Sequence, residues 1–113
     1  MTNWTNDLQT EFDRAAAARA RGNEGQARVC ARRAAGIAIR EYLTRRGRAV
    51  PSASAYDLLN LIKEDALLSP DLKQAAVYLT LRVTGKFQLP IEVDLVTEAV
   101  KLCRGLLPDW GNE

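Results

Sequence analysis

Arg82 and Lys86 straddle a Thr84–Gly85 turn in the stretch LRVTGKF, residues 81–87. Two cations beside turn amides can hold an anion such as a phosphate. The same arginine has a second possible job, because a cation at the end of a helix complements the last carbonyls and the helix dipole. Both readings stand on the sequence alone. The stretch is not a P-loop: its glycine spacing is wrong and no strand precedes it. Proton-transfer chemistry is poorly provided for, since the chain contains no histidine and so no side chain whose ordinary pKa lies near neutrality. Glu64/Asp65 and Glu92/Asp94 are carboxylate pairs in reach of a divalent ion only if they converge, and adjacent carboxylates on a helix point apart; solvated surface is the expectation. Cys30 and Cys103 each sit inside an apolar helical pattern and read as buried, reduced thiols rather than a disulfide. No CxxC pair offers a zinc or redox site. The residues therefore predict no catalytic site, no metal and no cofactor.

What positions these residues is a chain of 113 residues, long enough for one domain with a real core. The net charge of +2 conceals an asymmetry. Residues 1–50 carry ten basic residues against five acidic, and all ten are arginine; residues 51–113 carry six against nine. Arginine holds phosphate and carboxylate bidentately and stacks on planar groups, which leans towards an anionic partner; the plain alternative is a solvated helix face. No charged-then-apolar leader opens the chain, and no apolar run approaches the roughly 18 residues of a membrane span. The expectation is a cytoplasmic protein with no membrane association.

Helical periodicity runs almost throughout. A first helix is predicted over about 6–21, ended by Gly22, and a second over about 25–46, ended by Gly47. Ser54 should cap a third helix over about 55–67, with Asp57 completing a capping box. Ser69, Pro70 and Asp71 form a strong start for a fourth helix that should reach about Val83 before Gly85. A fifth runs from about Glu92 to Leu106, opened by either Pro90 or Asp94. No alternating strand pattern, repeat or low-complexity tract is present, so the fold class is all-α: an up-and-down bundle of four to five helices in a single domain.

The second helix gathers Ala27, Cys30, Ala31, Ala34, Ala35, Ile37, Ala38 and Tyr42 on one side, a mostly alanine stripe that lets a neighbour approach closely. Opposite lie Arg28, Arg32, Arg33 and Arg40, with Val29, Ile39 and Leu43 among them. Such a helix is either central to the bundle or part of a subunit interface. Trp4 and Trp110 near the termini are expected to be exposed, and with them a homodimer at micromolar concentration is expected.

These features resemble the HEPN domain family. Its long second helix is matched by CARRAAGIAIREYL, its HSIxDLL helix by ASAYDLL, and its RYPD-like helix end by LRVTG; the resemblance covers about residues 5–107. It implies a helical bundle, commonly dimeric, that often partners a minimal nucleotidyltransferase in toxin–antitoxin-like pairs. Catalytic members resemble metal-independent RNases with an Arg–x(4–6)–His motif, in which histidine handles the proton and arginine stabilises the phosphate. Here the corresponding spacings from Arg82 end at Phe87, Gln88 and Leu89, and Ala53 stands where many relatives place the histidine of HSI. Histidine-dependent RNase activity is excluded. What remains is a non-catalytic HEPN-like module engaging nucleotide or RNA phosphates through Arg82, Lys86, Arg33 and Arg40. The alternative is an adaptor whose dimer or helix-packing face, Val29, Ile39 and Leu43, is its function.

Overall fold

The computed structural model describes residues 3–81 and 93–110. Five helices occupy them: α1 (Trp4–Ala20), α2 (Glu24–Arg45), α3 (Ala55–Ile62), α4 (Pro70–Leu79) and α5 (Leu95–Leu106). Among the described residues there is no strand, and the protein is an all-α helical bundle.

Local chemistry fixes most helix ends. Asn3 accepts a hydrogen bond from the Asn6 N–H, so α1 begins two residues before its predicted start. Gly22 and Gly47 take left-handed φ values of 78° and 67°. Each ends its helix in a Schellman motif: Asn23 N–H donates to Ala18 O, and Arg48 N–H to Leu43 O. Asn23 then caps α2 through the Gln26 N–H, so three residues turn the chain from α1 into α2. Asp94, not Pro90, opens α5 by accepting from Val96 and Thr97. Ser54 caps α3 as expected, but Asp57 does not close a reciprocal box: it accepts from the Ser52 hydroxyl, and that hydroxyl oxygen accepts the Ser54 N–H.

Two helices are shorter than their periodicity suggests. α3 stops at Ile62 because Asp65 captures the Leu67 N–H in a turn and is itself held by the Tyr42 hydroxyl and Arg48, so the next helical turn cannot form. α4 ends at Leu79, where the Thr80 hydroxyl donates to Val77 O and Arg32 takes the carbonyls of Leu79 and Leu81. Thr80 and Leu81, the first residues of the predicted extension, are already non-helical, while its end at Val83 and the stop at Gly85 lie outside the described residues.

α2 is the centre: it packs against α1, α3 and α5, while α4 bridges α3 and α5. Ala27, Cys30, Ala31, Ala34, Ala35 and Ala38 are fully buried, as the stripe predicts. Both edges of that stripe need correction. Ile37 is half-exposed, whereas Ile39 and Leu43, placed by sequence on the arginine face as interface candidates, are fully buried in this chain's own core. Neighbours on three sides make the buried arc wider than one stripe, which selects the central-helix reading for these two residues. Trp4 and Trp110 are also half-buried: Trp110 stacks on Phe12 with ring centroids 5.3 Å apart, and Arg45 lies 5.2 Å over Trp4. Both cysteines are buried free thiols, and burial pushes the Cys103 thiol up to about 12. Among the described residues no helix is long and apolar enough to cross a membrane.

Candidate functional site

Wrapping α2 on three sides leaves one narrow strip of it uncovered, and that strip floors an open groove of about 470 Å³. Val29, Arg33, Gly36, Ile37 and Arg40 recur every three or four residues and so share this face. Glu11 walls the groove from α1, while Ala53 and Ala55 wall it from the start of α3. The far wall stands close because Gly36 has no side chain: a Cβ there would lie 2.9 Å from Ala55 Cβ and 3.2 Å from Ala55 Cα. Two further pockets adjoin. One is lined by Arg32, Ser54, Tyr56 and Leu81, and the other continues past Arg40 between Trp4, Asp7 and Thr44.

The arginines divide sharply by partner. Arg19 bonds Glu24 and Asp94 together, holding both carboxyls below their usual range while its own pKa is raised. Arg45 clamps Asp109 and Glu41, Arg48 pairs with Asp65, and Arg14 with Glu11. Arg32 spends its guanidinium on helix α4: Nε donates to Leu79 O at 2.8 Å and Nη2 to Leu81 O at 2.7 Å. The Leu79 carbonyl would otherwise be an orphan acceptor of the helix end. Arg21 and Arg28 make no ion pair among the described residues and line no part of the groove, whereas Arg33 and Arg40 combine the lack of an ion pair with a place in the groove. Both are exposed, both line the groove, and neither makes an ion pair or side-chain hydrogen bond among the described residues. Seven positions apart, they project from the same face about 10 Å along the axis. Two uncommitted guanidiniums over an apolar floor can hold an anionic group while the rest of a ligand covers Val29 and Ile37.

The structure thus brings together Arg33 and Arg40 of the four expected anion-binding residues. Arg82 and Lys86 lie outside the described residues. Of the three expected packing-face residues, only Val29 is at the surface, with 37% exposure, and it belongs to the groove. Sequence reasoning missed Arg32 as the cation that caps α4, Glu11 as a wall, and Gly36 as the close-approach residue. The glycine was the readable signal, since a glycine midway along a 22-residue helix costs stability unless something must come close. Among the described residues no group of three or more Cys, Asp or Glu could hold a metal ion. Protein-family models, curated proteins and solved structures give no match to this chain.

Proposed function

We propose that the protein is a non-catalytic binding module whose α2 groove holds the phosphates of a nucleotide or of single-stranded RNA. The observation that carries this reading is the pairing pattern: Arg14, Arg19, Arg45 and Arg48 are matched with carboxylates, whereas Arg33 and Arg40 stand unmatched over one groove. Binding is favoured over catalysis because the chain has no histidine and the groove residues are arginines, one carboxylate and apolar side chains. Arg82 and Lys86, outside the described residues, belong to the same proposal on their sequence alone, as two cations beside turn amides. The HEPN-like resemblance supports a minimal nucleotidyltransferase as macromolecular partner. A self-associating adaptor draws less support, because Ile39 and Leu43 are spent inside the chain and leave Val29 alone of the three.

The test is binding of a fluorescent single-stranded RNA, read by anisotropy across a salt series. Neutralising two phosphates gives a slope of about −1.4 in log affinity against log salt. Arg33→Ala and Arg40→Ala should each weaken binding about two- to fivefold, the scale of an exposed charge pair, and flatten the slope. Arg82→Ala and Lys86→Ala extend the series. Absence of binding at low ionic strength would remove the nucleic-acid reading and leave the adaptor.

A further inference from the structure

The groove holds one group that phosphate binding does not use. Glu11 reaches it from α1 with a side chain only 13% exposed. Its Oε2 accepts from Arg14 at 3.3 Å, but its Oε1 is buried and accepts no hydrogen bond from the described residues. A carboxylate oxygen out of water without a donor carries a desolvation penalty that a donor on a ligand would relieve. The terminal torsion of glutamate is soft, so the carboxylate can turn that oxygen to the groove at little cost. The Arg14 that holds the other oxygen is itself largely exposed, at 61%, and does not lock the orientation.

Resting on the phosphate reading above, we propose that Glu11 selects the base: the groove takes nucleotides whose base edge carries an exocyclic amino group. Arg33 and Arg40 provide for the anionic group, the apolar floor around Val29 and Ile37 takes the flat ring, and the unsatisfied Glu11 oxygen accepts an N–H from the base. Cytosine, adenine and guanine each present an NH₂ donor at the base edge. Uracil presents its ring N–H between two carbonyl oxygens, which repel a carboxylate. A carboxylate accepting from an exocyclic amine is an established form of base readout. The selecting residue thus stands on α1 and the arginines on α2, all lining one ligand-sized groove of about 470 Å³.

The experiment titrates CMP, AMP, GMP and UMP into labelled protein and follows backbone amide shifts, with inorganic phosphate as the reference anion. The expected result is a severalfold weaker affinity for UMP than for the other three. Glu11→Gln, whose amide offers a donor as well as an acceptor, should level the four nucleotides while its spectrum stays folded. Arg14→Ala, which removes only the partner of the other oxygen, should keep the ranking. Equal affinities for all four in the natural sequence, or a ranking that survives Glu11→Gln, overturns the role of Glu11 while leaving the anion groove standing. No binding of any nucleotide or of phosphate overturns the groove reading itself, so the two failures are distinguishable.

Discussion

Gly36 offers the sharpest test of the packing argument, because two opposed effects of known size meet there. Replacing a mid-helix glycine with alanine ordinarily stabilises by about 0.5–1 kcal/mol through backbone entropy. At Gly36 the new Cβ would lie 2.9 Å from Ala55 Cβ and 3.2 Å from Ala55 Cα, and the second contact is backbone that no side-chain rotation can clear. Helix α3 would have to retreat to restore contact near 3.5–4 Å, and such overpacking costs about 1–3 kcal/mol. The overpacking should win, leaving Gly36→Ala about 1 kcal/mol less stable. Gly25 is the control on the same helix: its Cβ would meet only Asn23 Oδ1 at 3.8 Å, an ordinary contact, so Gly25→Ala should stabilise by about 0.5 kcal/mol. Urea unfolding then separates the two variants by a midpoint difference on the order of 1 M for a chain of this size. Adding Ala55→Gly removes the closest atom, and the double-mutant cycle should show favourable coupling of about 1 kcal/mol. If Gly36→Ala raises the midpoint as much as Gly25→Ala does, or the cycle shows no coupling, then α2 and α3 are not in contact as described.

Removing Arg32, whose two charge-assisted bonds hold the end of α4, should cost about 2 kcal/mol, or roughly 8 °C in thermal midpoint. Arg32→Lys should recover less than half of this in a calorimetric melt, because one ammonium cannot reproduce a two-pronged fork. Acid should destabilise the fold in a defined window. Arg19 holds Asp94 and Glu24 below their usual range; the Leu67 N–H does so for Asp65, and Arg45 for Asp109. Folded values below unfolded ones mean stability that is complete above the ordinary carboxylate pKa and lost as pH falls through the folded values. The midpoint should therefore be flat from neutrality to about pH 5 and fall below about pH 4. Asp94→Asn, which retains an N-cap while losing the Arg19 pair, should shallow that fall.

Local chemistry was readable in the sequence and tertiary allocation was not. Gly22, Gly47, Ser54, Ser69 and Asp94 each end or begin a helix through groups within a few residues of themselves, and each is where its type suggests. Asp65 is the counter-case. Periodicity carries a helix through it, but its carboxylate is claimed by Tyr42 and Arg48, residues from another part of the chain, and the helix gives way. The end of α4 follows the same logic, since its terminal carbonyls go to Arg32, 47 and 49 positions away in the sequence.

The candidate site depends on that allocation more than on any motif. Sequence alone presents Arg28, Arg32, Arg33 and Arg40 as one basic face, with nothing to rank them. Folding ranks them by partner and by place: Arg32 goes to backbone carbonyls, Arg28 falls outside the groove lining, and carboxylates as remote as Asp94 and Asp109 go to Arg19 and Arg45. A guanidinium left without a partner beside a groove is one whose position has not been fixed by the fold. Arg33 and Arg40 meet that condition on the strip of α2 that floors the groove, and Gly36 between them brings the α3 wall close. The wide arc that buries Ile39 and Leu43 is the same feature that narrows the free strip to groove width. Core and groove are therefore one design on α2: any substitution that separates α2 from α3, Gly36→Ala included, should widen the groove and alter its anion affinity even though it removes no charge.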